Sequence, residues 1–256
     1  MQHVGIEVTI LGSGTSVPNP KRSSPGLVIS YGNEPPLLFD TGSGTLWRLS
    51  KLGISIQDVQ YIFYSHLHPD HTVDLVSILF ALRNPDYIRK KELCIIAYFG
   101  FQDFYTRLVD TYSEWVKPRG YNLIIREISE ETFPIQNWKV TSKRLLHHEY
   151  SIGFRLESDH GRVVVYSGDT DYCENIIELA RDSDILILEC SFPDELRVEG
   201  HLTPSLAGKI ASLAHAKKLI LTHLYPQCDD FDILSACKHC FDGEVIVASD
   251  FMKLTL

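Results

Sequence analysis

The segment Ser65-His66-Leu67-His68-Pro69-Asp70-His71 puts three imidazoles and a carboxylate within six residues. It follows the apolar run Val59-Gln60-Tyr61-Ile62-Phe63-Tyr64, where a buried strand should end. His66 and His68 are two apart, so on an extended segment both side chains point to one face. Pro69 breaks the strand and turns the chain before Asp70 and His71. Two sets of donors can then face two metal ions a short distance apart. A polar loop with chance histidines would account for one imidazole, but not for this alternation directly after a strand. Borderline cations such as Zn²⁺ accept imidazole nitrogen and carboxylate oxygen together. Two such ions about 3.5–4 Å apart clamp the attacking and leaving oxygens of a displacement. One bound Zn²⁺ already lowers the pKa of water to about 7.

The elements that must position these groups read as alternating strands and helices. Residues 4–11 predict a strand, followed by a tight loop over Gly12-Ser-Gly-Thr-Ser-Val-Pro18 rather than a phosphate cradle. Residues 27–31 and 37–39 predict a hairpin around Gly32-Asn33 and Pro35-Pro36. Asp40 stands at a strand end beside glycines, as a cap for the loop or as an acceptor that orients a ligand histidine. Leu46, Leu49 and Leu52 share a helix face, and helices are predicted over 73–82, 101–115, 173–180 and 231–240. Thr203 and Pro204 fit the N-cap and first position of another helix. Further strands are predicted over 93–98, 121–128, 138–146, 152–157, 162–166, 185–189, 219–223 and 245–248. His66, His147, Asp169 and His223 thus fall at C-terminal strand ends, along one rim of a sheet assembly, where open α/β proteins keep their sites.

Composition sets the outer bounds. At 256 residues the chain suits one α/β domain spanning 1–256, with ordinary apolar (44%) and charged (22%) fractions. The start lacks the basic and apolar regions of a signal peptide, and no apolar run is long enough to span a bilayer. The six scattered cysteines suit reduced thiols in a cytoplasm better than a disulfide framework. Cys237-Lys-His-Cys240 is the one close pair, and without a second pair it reads as a helix-borne coincidence. A net charge of −9 speaks against a broad nucleic-acid-binding surface.

These motifs together resemble the metallo-β-lactamase superfamily, and most closely its branch of ribonuclease Z and related phosphodiesterases. Leu11-Gly-Ser-Gly with Pro18 and Arg22 resembles that branch's opening loop, and Phe39-Asp-Thr-Gly-Ser-Gly-Thr45 its second motif. Ile62-Phe-Tyr-Ser-His-Leu-His-Pro-Asp-His71 resembles its metal signature. Tyr166-Ser-Gly-Asp-Thr170, Leu221-Thr-His223, and Glu189 with His201-Leu-Thr203 resemble its later segments. The resemblance implies a four-layer αββα sandwich, two mixed β-sheets with helices on the outer faces. It implies that His66, His68 and His147 hold one divalent ion, that Asp70, His71 and His223 hold the other, and that Asp169 bridges both. Zinc is the first choice of ion, with manganese or iron as alternatives. His147 is preferred because it precedes Gly153-Phe154 by the family's six residues; His148 is the alternative. Asp70, His201 and Glu189 are the catalytic candidates. His201, outside the ligand set, would stabilise a phosphoryl oxygen or protonate the leaving group, with Glu189 orienting it.

Departures from the branch are equally informative. Ribonuclease Z usually carries a long tRNA-gripping arm between its third-motif histidine and bridging aspartate. Here His147 and Asp169 are twenty-two apart, with room for one hairpin. Pro69 stands where ribonuclease Z has glycine, and Leu-Tyr-Pro follows His223 in place of a Ser-Ser-Arg ending. The expectation is therefore a phosphodiesterase acting on a small phosphodiester or cyclic nucleotide. A hydrolase of a lactone, thioester or β-lactam is the second reading. A non-enzymatic metal-bound scaffold is the third. A tRNA 3′ endonuclease, with RNA contacts supplied across a homodimer, is the fourth.

Overall fold

The computed structural model describes residues 5–86 and 88–256; the predicted strand start at Val4 lies outside them. The first half of the chain lays down β1 (Ile6–Gly12), β2 (Gly26–Tyr31), β3 (Leu37–Phe39), β4 (Tyr61–Phe63), β5 (Leu93–Tyr98) and β6 (Leu123–Ile128) as neighbours in one sheet. The second half lays down β7 (Thr132–Ile135), β8 (Trp138–Arg144), β9 (Ile152–Ser158), β10 (Val163–Tyr166), β11 (Ile185–Glu189), β12 (Lys218–Thr222) and β13 (Glu244–Val247) as the other. The last strand, β14 (Lys253–Thr255), returns to the first sheet and pairs antiparallel with β1. Both sheets begin antiparallel and end parallel, with the switch at β3–β4 in one and β10–β11 in the other.

Strand periodicity explains the layers. Side chains alternate between faces, so Ile185 and Ile187 of β11 enter the core between the sheets while Leu186 and Leu188 face outward. Phe39, Phe63, Phe154 and Tyr166 interlock in that central core, with Phe39 and Phe63 stacked at 4.5 Å. The outer face of the first sheet is covered by α1 (Thr45–Lys51), α3 (Leu75–Ala81) and α4 (Phe101–Tyr112) through Leu49, Leu75, Ile78 and Phe101. That of the second is covered by α5 (Glu174–Ala180), α6 (Pro204–Leu213) and α7 (Ile233–Lys238) through Ile176, Ala207, Ile210 and Ile233. The result is the expected αββα sandwich with two mixed sheets.

Several boundaries differ from the sequence reading. Pro69 does more than break a strand: it is the first residue of a one-turn helix, α2 (Pro69–Thr72), and the helix predicted over 73–82 is shortened to α3. The helix predicted to Trp115 stops at Tyr112, because Ser113 adopts φ 53° and a 3₁₀ turn follows over Ser113–Val116. Thr203 occupies the N-cap position of α6 without its side chain making a capping bond. Strands β7 and β14 were not anticipated.

Candidate metal centre

The site lies where the C-terminal ends of β4, β10 and β12 meet the turn after β8. At its centre is the buried Asp169, three residues beyond β10, whose two oxygens face different groups. Oδ2 lies 3.7 Å from His66 Nε2 and 3.8 Å from His147 Nε2. Oδ1 lies 3.3 Å from His71 Nε2 and 3.5 Å from His223 Nε2. His68 joins the first group, its Nδ1 being 3.2 Å from His147 Nε2, and Asp70 joins the second, its Oδ2 being 3.3 Å from His223 Nε2. The donor atoms of His66, His68, His147 and Asp169 lie within 4.8 Å of one another, as do those of Asp70, His71 and His223. All seven residues singled out as ligands in the sequence therefore converge. His148 does not: it is exposed, with its ring 5.5 Å from that of His68.

The outer nitrogens decide which way each imidazole presents its lone pair, since the partner of one ring nitrogen fixes the tautomer. His71 Nδ1 donates to Asp40 Oδ2 (2.8 Å), and His147 Nδ1 donates to the Gly200 carbonyl (2.8 Å). Ser65 Oγ donates to Asp40 Oδ2 and lies 3.0 Å from His66 Nδ1, which donates to it. Ser191 Oγ donates to Glu189 Oε2 and receives His223 Nδ1 at 3.0 Å. Four imidazoles thereby turn Nε2 inward. Asp40 is the acceptor considered in the sequence, and it is fully buried; Tyr166 Oη and the Ser65 amide complete its hydrogen bonding.

This arrangement fits divalent cations. His66 Nε2 and Asp169 Oδ1 are buried without any hydrogen-bond partner, which is costly unless a further group lies between the donors. The charges point the same way. Burial pushes the Asp169 carboxyl up, but His223 and His71 outweigh it and hold the group well below the usual carboxylate range. Burial likewise opposes ionisation of Asp70, yet the His223 hydrogen bond and His71 pull it down to about 2. His66 is held well below its ordinary value by burial and by the His71 charge, and His68 is lowered by burial and His147. His71 goes the other way: burial alone would lower it, but Asp169 and Asp40 raise it well above 6.5. Ionised carboxylates beside imidazoles whose charging burial disfavours make a donor set suited to divalent cations.

His201 stands beside this cluster, its ring 4.7 Å from that of His147 and parallel to that of His223 at 6.2 Å. Its Nδ1 donates to Glu189 Oε1 (2.9 Å), which leaves Nε2 as the free nitrogen. Glu189 is buried and also receives the amides of Thr170, Ser191 and Leu202. Burial lowers the His201 pKa, but the Glu189 hydrogen bond and charge prevail and raise it above 6.5. Sequence reasoning missed Ser65, Ser191, Tyr166 and the Gly200 carbonyl. The only available signal was position, since each serine adjoins or nearly adjoins a histidine or glutamate already singled out.

Comparison with known proteins places this architecture. Ribonuclease Z of Archaeoglobus fulgidus is 26% identical over 304 aligned residues, covering 97% of each chain. An uncharacterized protein of Mycobacterium tuberculosis is 29% identical over 259 residues, covering 94% of this chain and 89% of that one. The crystal structure of YhfI from Bacillus subtilis, a metallo-beta-lactamase fold protein, superposes with a TM-score of 0.86 at 23% identity, covering 99% of this chain and 100% of that one. The model of the Beta-lactamase superfamily domain matches residues 37–224, a span that runs from β3 past the turn bearing His223. By that match and by its two-sheet sandwich, the chain belongs to the beta-lactamase superfamily and has the metallo-β-lactamase fold.

Proposed function

We propose that this protein is a dinuclear metal-dependent phosphodiesterase acting on a small phosphodiester, with cyclic nucleotides as the first class to examine. The observation that carries the reading is the division of Asp169 between two donor groups, one oxygen to each, with His66 Nε2 and Asp169 Oδ1 unpaired. His66, His68 and His147 would hold one ion, Asp70, His71 and His223 the other, and Asp169 both. Five imidazoles and two carboxylates suit zinc first, with manganese or iron as alternatives. Bound there, the ions supply an activated water at neutral pH and positive charge beside the phosphoryl oxygens.

The remaining work falls to the chain's own groups. Asp40, Ser65, Ser191 and the Gly200 carbonyl hold the imidazoles in one orientation. His201, protonated above its ordinary range, donates from Nε2 to a phosphoryl or leaving-group oxygen, and Glu189 keeps that imidazole aimed and charged. The six cysteines are free, which suits a reducing compartment such as the cytoplasm. Among the described residues no helix is long and apolar enough to cross a membrane.

A ribonuclease acting on tRNA precursors is the second reading, favoured by the Archaeoglobus fulgidus relative. Against it, the 304 aligned positions exceed the 256 residues of this chain, so the relative carries insertions, while only the β9–β10 hairpin joins His147 to Asp169 here. The test is reconstitution of chelator-stripped protein with zinc or manganese, assayed on bis(p-nitrophenyl) phosphate, cyclic nucleotides, a lactone and a tRNA precursor. Diester turnover restored by metal is the expected result. His201→Ala should lower kcat by about 10²-fold or more without changing metal content. Occupied ligands with no diester turnover would overturn the reading.

A further inference from the structure

Two half-buried aromatic side chains stand beside the cluster without belonging to the core. Phe192 follows Ser191, and Tyr225 lies two residues beyond His223, so both hang on turns that already carry site residues. Their rings are stacked, with centroids 4.5 Å apart and planes 21° apart. His201 and His223 are parallel to each other within 10°, and the aromatic pair stands nearly perpendicular to them. Phe192 meets His201 at 71° and 5.8 Å; Tyr225 meets His201 and His223 at 72°, at 6.4 and 6.0 Å. The pair therefore stands crosswise to both imidazoles, with ring centroids 5.8–6.4 Å away.

The turns that carry the two rings are tied to each other through the backbone. The Tyr225 amide donates to the Ser191 carbonyl, and the Cys228 amide donates back to the Tyr225 carbonyl within the 3₁₀ turn Pro226–Asp230. By contrast, Phe39, Phe63 and Phe154 are fully buried and account for the core stacking. A partly exposed aromatic pair next to a charged site offers planar ligands a stacking surface. The spacing suits a ligand with a phosphoryl group at His201 and a planar ring a short linker away.

We propose that Phe192 and Tyr225 form a stacking platform that selects ligands bearing a nucleobase over otherwise equal sugar phosphates. The proposal rests on the phosphodiesterase reading for the place of the phosphoryl group, and a binding measurement separates the two. Titration calorimetry of the zinc-loaded protein compares adenosine 5′-monophosphate with ribose 5-phosphate, neither of which is a diester, so turnover does not enter. The base-bearing ligand should bind roughly tenfold tighter, the scale of one base–aromatic stack. Phe192→Leu and Tyr225→Leu should each erase most of that difference, while ribose 5-phosphate, which also reports that the variant is folded, changes by less than about twofold. Tyr225→Trp should keep it. Equal affinities in the unaltered protein, or a difference that survives both leucine variants, would overturn the platform. A platform that discriminates in a protein unable to hydrolyse any diester would sink the enzymatic reading instead.

Discussion

At the scale of single residues, the centre is built from two matching pairs of a carboxylate and a serine. Asp40 and Ser65 fix the outer nitrogens of His71 and His66; Glu189 and Ser191 fix those of His201 and His223. The first pair supports two inward-facing nitrogens of the cluster. The second supports one of these and one imidazole outside it, and there the carboxylate's charge matters as much as its geometry. A raised pKa means that protonated His201 contributes stability below the unfolded value near 6.5, and this contribution fades as pH rises through the folded value. If His201 donates a proton in the reaction, the same ionisation sets the alkaline limb of the pH–rate profile. Glu189→Gln keeps an acceptor at Oε1 but removes the charge, so that limb should move to lower pH; an unmoved limb would assign the ionisation elsewhere. The seven cluster residues were legible because imidazoles and carboxylates at strand ends have few other reasons to recur. The serines were not, because a serine beside a histidine is unremarkable until a fold brings a carboxylate to it. The preference for His147 over His148 followed from resemblance, whereas the contact that orients the His147 ring, with the Gly200 carbonyl, comes from a turn fifty-three residues away.

At the scale of elements, the site depends on how closely the turns after β4 and β10 approach. Gly168 adopts φ 60°, and a Cβ placed there would come within 2.3 Å of the Ser65 Cβ. No side chain fits, because the residue joins β10 to Asp169 at the point where the two sheets touch. Gly168→Ala should cost at least about 1–2 kcal/mol from its left-handed backbone alone. Displacing Ser65 adds to this, so thermal unfolding should begin at least about 2–4 °C lower. An unchanged melting curve would mean that this contact is not tight. The elements that the sequence left unread have physical reasons. Strand β7 contains Pro134, which demotes a strand pattern, and it survives because it lies at the edge of its sheet, where among the described residues it pairs with β8 alone. Strand β14 is three residues long, too short for alternation to register, and its pairing with β1 joins opposite ends of the chain. Helix α2 is a single turn whose start at Pro69 is readable only once Asp70 and His71 are known to share a side with His223.

At the scale of the molecule, the cluster joins the two halves of the sandwich. His66, His68, Asp70 and His71 follow β4 of the first sheet, whereas His147, Asp169 and His223 follow β8, β10 and β12 of the second. Apolar packing holds the sheets together along the central core, but at this rim their contact is made of charged and imidazole groups. There Asp169 faces His71, and Asp70 faces His223, across the seam at 3.3 Å each. A cation binding only the folded state stabilises it by about 2.7 kcal/mol at a hundredfold excess over Kd. For a chain of this length that corresponds to a rise of about 5–10 °C in Tm. Zinc should therefore raise Tm above that of chelator-stripped protein, with the gain growing as free metal is increased. Acid should shrink the gain, because protons compete for His71 and the other imidazoles. Substituting Asp169, the residue shared by both donor groups, should abolish it, whereas a Tm indifferent to chelator at neutral pH would mean that the rim holds no metal.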